Sequence, residues 1–175
     1  MDDAGWACCC YVLVENRTAA EVAAVLGGQL SDVVRFEDEA DQEKASWPAA
    51  GPAGGGWTVV VDPHFEFGDA EEEMRAWSAG GRAVRLMVIA REGFSQATAW
   101  VDGGVRWDIS YEDGLDDRPR VGGALPYDVE ALSAGDWYQA PISAARLATG
   151  WQPRGSERPL LAELIYPRPV PAIAT

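Results

Sequence analysis

The chain has 175 residues, of which 47% are hydrophobic and 24% are charged, a balance typical of one folded globular domain rather than of a disordered chain. Twenty-eight acidic residues against 14 lysines and arginines give a formal net charge of -14, which repels nucleic-acid phosphates and anionic membrane surfaces. No apolar run approaches the roughly 20 residues that cross a bilayer. We therefore predict a cytoplasmic protein with a single domain, residues 1–175, and with no nucleic-acid or membrane partner.

The N-terminal segment carries three adjacent cysteines at the start of an apolar run. Two aspartates stand where a secretory signal would carry Lys or Arg, so CCCYVLV is predicted to be the first strand. Neighbouring residues on a strand point to opposite faces, and Cys8, Cys9 and Cys10 lack the C-x-x-C spacing that brings two sulfurs to one ion. Small buried side chains are therefore expected here, rather than disulfides, a metal site or a redox thiol.

Helix and strand signals then alternate irregularly along the chain. A first helix is predicted in NRTAAEVAAVLGG, where Thr18 and Glu21 have the spacing of a capping box and Gly27 supplies the stop. A second helix is predicted in GDAEEEMRAWSAGG, with Asp69 as the N-cap and Glu72 three residues later. Strands are predicted in SDVVRFED, WTVVVDP and RAVRLMVIA, and the last of these should be central because both of its faces are largely apolar.

Two segments rich in glycine, proline and small residues interrupt this pattern. Residues 44–56, KASWPAAGPAGGG, are predicted to be a flexible loop inside the domain, and DDRPRVGGALP is predicted to be another loop. Short helices are predicted in YDVEALSAGD and PISAARLATG, the second with proline at its first position and glycine at its end. RPLLAELIYP is expected to be a strand or a helical turn before an extended proline-rich tail at 167–175.

A β-hairpin is predicted in SQATAWVDGGVRWDIS. A two-residue turn at Asp102 and Gly103 would mix polar and apolar residues on each face. A three-residue loop from Asp102 to Gly104 instead makes one face wholly apolar, so this loop is the predicted one. The apolar pairs that follow from it are Val101 with Val105, Ala99 with Trp107 and Ala97 with Ile109.

The opposite face of this hairpin leaves Trp100 beside Arg106, where the guanidinium could stack on the indole. Trp100, Arg106, Asp108 and Thr98 would then form an exposed binding patch, with the aromatic and arginine content that hot spots favour. The alternative is that a loop or a terminal segment of the same chain covers Trp100, since large aromatic side chains are seldom left bare.

The single histidine, His64, lies in VDPHFEFGD between Asp62 and Glu66. Alternate residues of an extended chain share a face, so these three side chains are weak candidates for an acid/base cluster or a divalent metal site. Pro63 interrupts the strand and the chain has no second histidine, so a polar loop is the competing interpretation and no metal is predicted. No nucleophile elbow, catalytic cysteine signature or phosphate-binding loop accompanies these residues, and no cofactor is expected.

Together these signals predict an α+β fold, with a mostly antiparallel sheet of about five or six strands and a few short helices packed on one face. The capped NRTAAEVAAVLGG helix, GWTVVVDP and the SQATAWVDGGVRWDIS hairpin resemble a group of small acidic actinobacterial proteins. That group is similar in size and charge to the immunity proteins that neutralise bacterial toxins, and the resemblance implies no catalytic residue for this sequence.

The leading functional hypothesis is a non-enzymatic binding protein, such as an immunity or inhibitor protein, whose acidic surface docks a basic protein. Acidic runs at 36–43, 69–73 and 111–117 would supply that surface, although solvated loops that keep the protein soluble are the alternative interpretation. A second hypothesis is a small-molecule-binding protein or biosynthetic enzyme with a pocket lined by several of the eight tryptophans. A third is a homo-oligomer formed through an edge strand.

Overall fold

The protein is described by a computed structural model that covers residues 9–36, 48–151 and 160–167. Nine strands form one sheet in which all neighbours are antiparallel, in the order β2-β9-β3-β4-β1-β5-β6-β7-β8. They are β1 (Cys9–Glu15), β2 (Gln29–Phe36), β3 (Ala49–Gly54), β4 (Trp57–Asp62), β5 (Arg82–Ile89), β6 (Phe94–Val101), β7 (Gly104–Glu112), β8 (Arg120–Gly123) and β9 (Leu160–Ile165).

In the part of the chain that the structure describes, four helices accompany the sheet: α1 (Ala19–Val25), α2 (Glu71–Trp77), α3 (Val129–Ser133) and α4 (Gln139–Thr149), with a 3-10 turn at Ala90–Glu92. The predicted α+β class and antiparallel sheet are confirmed. Within the described ranges, none of these helices is long and apolar enough to cross a membrane.

The sheet has more strands than the predicted five or six. Strand β3 lies inside the predicted loop at 44–56, β8 lies inside the predicted loop DDRPRVGGALP, and β9 is the segment for which a strand or a helical turn was left open. The small residues of β3 have low strand propensity, but backbone pairing with β4 and β9 and the burial of Ala49 and Ala50 override it. Residues 44–47 of that predicted loop, and 168–175 of the predicted tail, lie outside the described residues.

Both faces of the central strands β1 and β4 are buried, and helices cover each face of the sheet. Every side chain of β1 from Cys9 to Val14 is buried, with alternate residues on opposite sides. Tyr11 and Leu13 belong to the hydrophobic cluster that includes α3 and α4, here called the α3/α4 face. Val12 belongs to the cluster that includes α1 and α2, the α1/α2 face. The predicted packing of helices on one face is wrong, because the central strands are apolar on both sides and each side needs a cover.

The first helix begins as the sequence predicts, whereas the second does not. The hydroxyl of Thr18 accepts a hydrogen bond from the backbone N–H of Glu21, and the Glu21 carboxylate accepts one from the Thr18 N–H, so the capping box is confirmed. Helix α2 has Ala70 as its N-cap, and Asp69 makes no side-chain cap. Three acidic residues in the first turn of α2 provide a favourable interaction with the helix dipole instead.

The hairpin of β6 and β7 keeps the predicted pairing beyond its tip. Ala97 lies opposite Ile109 and Ala99 lies opposite Trp107, as predicted. The turn itself differs, because Asp102 and Gly103 form a two-residue turn with positive φ angles of 49° and 77°. The predicted three-residue loop is therefore wrong.

A register shift after the turn explains how a two-residue turn still leaves the predicted apolar side chains on one face of the hairpin. Trp100 pairs with Val105 while Ala99 pairs with Trp107, so Arg106 is an extra residue on β7. Such a bulge places two residues of one strand opposite one of its partner. The bulge restores the apolar face that a regular two-residue hairpin would have lost.

The two-sided core yields a stability prediction. Leu86 is fully buried on β5, so Leu86→Ala is expected to lower the free energy of unfolding by about 2–5 kcal/mol through loss of apolar contacts and a residual cavity. Leu147 on α4 is 63% exposed, and Leu147→Ala as the matched control should change it by less than about 0.5 kcal/mol. Urea unfolding followed by tryptophan fluorescence measures both values, and equal losses in the two variants would contradict the assigned burial.

Candidate functional site

The hairpin patch predicted from the sequence is not assembled on an open surface. Trp100 and Thr98 are only 4% and 5% exposed, whereas Arg106 is exposed and Asp108 is half-buried. The chain itself covers Trp100, which was the alternative interpretation. Arg106 does not pair with Trp100, because the bulge displaces it from the position opposite the indole.

The cation that stacks on Trp100 is Arg85, which sequence analysis assigned no role. Its guanidinium carbon lies 5.2 Å from the centre of the Trp100 ring, and its Nη1 donates hydrogen bonds to the backbone oxygens of Phe67 (3.4 Å) and Gly68. Burial lowers the pKa of Arg85. The signal available in the sequence was a charged residue in the apolar stretch of β5 that follows Arg82, and the contact of Arg85 with Trp100 depends on β5 lying beside β6.

Asp62, His64 and Glu66 do not converge on one point. The fully buried Asp62 carboxylate accepts hydrogen bonds from the backbone N–H groups of Phe67 (2.8 Å) and His64 (3.1 Å), so it shapes the turn after β4. The His64 side chain is exposed, and Glu66 accepts a hydrogen bond from the Tyr166 hydroxyl. No group of three potential metal ligands occurs within the ranges the structure describes.

The two cysteines of β1 are buried. Cys9 and Cys10 are both 0% exposed and belong to the clusters on opposite faces of the sheet. Burial, and then the negative charge of Asp62, raises the pKa of Cys10. A buried thiol that stays protonated is a poor nucleophile, so these two residues serve packing. Cys8 lies outside the described residues.

Most tryptophans that the structure describes fill the hydrophobic clusters. Trp57, Trp77, Trp100, Trp107 and Trp151 are buried, and Trp137 is half-buried. A groove of about 610 Å³ lies between α3 and α4 and is lined mainly by apolar atoms, but no tryptophan contributes to its lining. A groove of about 460 Å³ beside α1 has Trp57 in its wall.

Several aspartates surround Tyr111, where β7 leaves the sheet. Partial burial, and then the carboxylates of Asp113, Asp136 and Asp116, raise the pKa of Tyr111. Asp113 and Asp136 are exposed, as is the neighbouring Asp117. We call Tyr111 with Asp113, Asp117 and Asp136 the acidic end. The sequence indicated the run at 111–117, but Asp136 joins it only through the fold.

A hydrogen-bonded loop holds the acidic end in place. The side chain of Asp116 accepts hydrogen bonds from the backbone N–H of Glu112 (3.1 Å) and from Nε of Arg120 (2.7 Å). The N–H of Asp113 donates to the backbone oxygen of Gly93 (3.2 Å), which ties the loop to the connection between β5 and β6. The nearby Arg118 pairs with Glu130 and lies 5.4 Å from the Trp137 ring centre. Both arginines beside the acidic end therefore already have carboxylate partners.

Comparisons of the chain with protein-family models, with curated proteins and with solved structures find no match. The resemblance to small acidic actinobacterial proteins therefore stays a prediction.

The burial of Trp100 predicts that its removal acts on stability. Trp100→Ala is expected to lower the free energy of unfolding by about 3–5 kcal/mol, because it empties space in the α1/α2 face and removes the ring beneath Arg85. Arg106→Ala, on the exposed bulge, should change it by less than about 0.5 kcal/mol. Chemical denaturation of the two variants tests this, and a stable Trp100→Ala protein would show that the ring lies on the surface.

The buried carboxyl of Asp62 is expected to make the free energy of unfolding depend on pH. Burial raises its pKa to about 6, above the value of about 3.9 expected in an unfolded chain. The folded state therefore binds the proton more tightly, and stability is lost as the pH rises from about 4 to about 6. Over that window the wild type should lose about 2–3 kcal/mol relative to Asp62→Asn, which cannot ionise.

Urea denaturation of both proteins across this pH range measures the difference. Asp69→Asn, which alters an exposed carboxylate nearby, serves as the control and should follow the wild-type profile. Parallel profiles for the wild type and Asp62→Asn would contradict the buried carboxyl as their cause.

Proposed function

We propose that this protein is a cytoplasmic, non-enzymatic binding protein that docks a basic protein partner through the acidic end, in the manner of a bacterial immunity or inhibitor protein. The observation that carries the proposal is that the exposed Asp113 and Asp136 both lie close enough to Tyr111 to raise its pKa, while the exposed Asp117 follows Asp116 in the same hydrogen-bonded loop. A fixed cluster of like charges attracts a cationic partner and raises the rate of encounter.

The distribution of positive charge supports the same proposal. Arg82 pairs with Glu15, Arg118 with Glu130 and Arg120 with Asp116. Arg17 caps the last carbonyls of α2 through hydrogen bonds of 3.1–3.3 Å. These arginines already interact with carboxylates or carbonyl oxygens of the same molecule, so they do little to neutralise the exposed aspartates. A net charge of -14 adds a long-range attraction for a basic protein, which salt should screen.

The test is affinity capture from a lysate of the source organism, washed at low and at high salt. The wild type should retain a basic protein at low salt and release it at high salt. A triple variant, Asp113→Asn with Asp117→Asn and Asp136→Asn, should retain at least about tenfold less, because each lost charge contact weakens binding. Asparagine keeps the side-chain oxygen that Asp136 offers to the Tyr138 N–H.

A second triple variant is the control, since it removes the same number of negative charges from exposed positions at the start of α2. It combines Asp69→Asn, Glu71→Gln and Glu72→Gln and should retain the partner nearly as well as the wild type. Retention that ignores salt, or that falls equally in both variants, would contradict docking at the acidic end. Recovery of a small molecule without a protein would favour the second hypothesis, a ligand-binding pocket.

A further inference from the structure

Strand β8 ends the sheet next to the acidic end, and no other strand within residues 9–36, 48–151 and 160–167 pairs with its outer edge. Its four residues, Arg120–Gly123, are exposed or half-exposed, and it pairs with β7 on one side. The strand follows directly from the loop that carries Asp113 and Asp117. A terminal strand of this kind is a template on which another extended chain can form backbone hydrogen bonds.

The hydrogen-bond phase of β8 shows which backbone groups face outward. The N–H of Ala124 donates to the oxygen of Arg106 at 3.0 Å, and Val121 lies opposite Ile109. Hydrogen-bonded and non-hydrogen-bonded pairs alternate in an antiparallel ladder. Ala124 bonds to β7, so Gly122, two residues earlier, also bonds to β7. The N–H and C=O of Val121, which lies one residue before Gly122, therefore point to the open edge.

The two sides of the edge differ in chemistry. On the α3/α4 face, the Val121 side chain is 46% exposed and offers an apolar contact. On the α1/α2 face, the Asp108 carboxylate of β7 lies against Gly122 of β8. It is so close that a Cβ atom added to Gly122 would overlap its Oδ1 atom. A strand added at the normal spacing of about 4.8 Å would therefore meet an aliphatic contact on one side. On the other side it would meet the Asp108 carboxylate and Arg120, whose guanidinium is already paired with Asp116.

We infer that an extended segment of the partner, with basic residues alternating with aliphatic ones, adds antiparallel or parallel to β8 as a tenth strand. The inference rests on the proposed function and specifies how the basic partner is held. Basic side chains of the segment face Asp108, aliphatic ones face Val121, and the segment's end lies near the acidic end. A second copy of this chain is a poor occupant, because two molecules of net charge -14 repel each other.

The test uses a synthetic ten-residue peptide of alternating lysine and valine, with binding measured by fluorescence anisotropy at low salt. Val121→Pro removes the outward N–H without breaking a bond to β7, and proline is tolerated on edge strands. Val121→Ala is the matched control that keeps the N–H. Val121→Pro should bind the peptide about tenfold more weakly than Val121→Ala. A peptide of alternating lysine and proline, which cannot pair as a strand, should bind the wild type similarly weakly.

Backbone amide exchange of the wild type gives an independent readout if Val121→Pro does not fold. The lysine–valine peptide should slow exchange at Val121, and unchanged exchange would overturn strand addition. Equal binding by Val121→Pro and Val121→Ala would do the same.

The acidic-end triple variant separates this inference from the proposed function. If that variant binds the peptide more weakly while Val121→Pro binds it fully, docking at the acidic end is supported and strand addition to β8 is overturned. Absence of peptide binding to the wild type would overturn strand addition, whereas the salt-dependent capture experiment tests the proposed function on its own. Sedimentation could instead reveal a dimer of the wild type that Val121→Pro abolishes. That result would assign the edge of β8 to a second copy of the chain and overturn the basic segment as its occupant.

Discussion

The side chains of β1 are buried on both faces of the sheet, and this two-sided burial determines where the other parts of the molecule lie. An antiparallel sheet usually leaves one face in water, but here β1 and its neighbour β4 are buried along almost their whole length. Each face must therefore be covered, which is achieved by α3 and α4 on one side and by α1 and α2 on the other. Charged groups are displaced toward the outer strands and the loops.

Two charged groups in the interior, Asp62 and Arg85, have backbone partners. Asp62 accepts two N–H groups of the turn that follows it, and Arg85 donates to the carbonyls of Phe67 and Gly68 in that same turn. The 63–68 turn thus supplies hydrogen-bond partners to a buried anion and to Nη1 of a buried cation. Its Phe67 ring then packs edge-on against Trp77 of α2 at 5.2 Å between centroids. This polar arrangement positions α2 and gives the Asp62 side chain a structural role in the turn.

Patterns confined to one element could be predicted from the sequence, and patterns that need two non-adjacent elements could not. The capping box of α1 and the Ala99–Trp107 pair follow from local spacing. Strands β3 and β8 were missed because glycine and proline indicate loops, while their pairing with neighbouring strands is a long-range effect. The cover over Trp100 depends on the placement of β5 beside β6. At the acidic end, the 111–117 run was visible, but its meeting with Asp136 required the fold.

Because of the bulge at Arg106, the number of residues at the hairpin tip can change without changing which side chains farther along β6 and β7 face the core. Removing the extra residue would leave Trp100 opposite Val105 and Ala99 opposite Trp107 in an unbroken ladder, with every side chain beyond the tip on its present face. The tip can therefore gain or lose one residue during evolution without rearranging the interior. An added residue after Trp107 would instead exchange the buried and exposed faces of the rest of β7, so natural variation in chain length should gather at the tip and be rare beyond it.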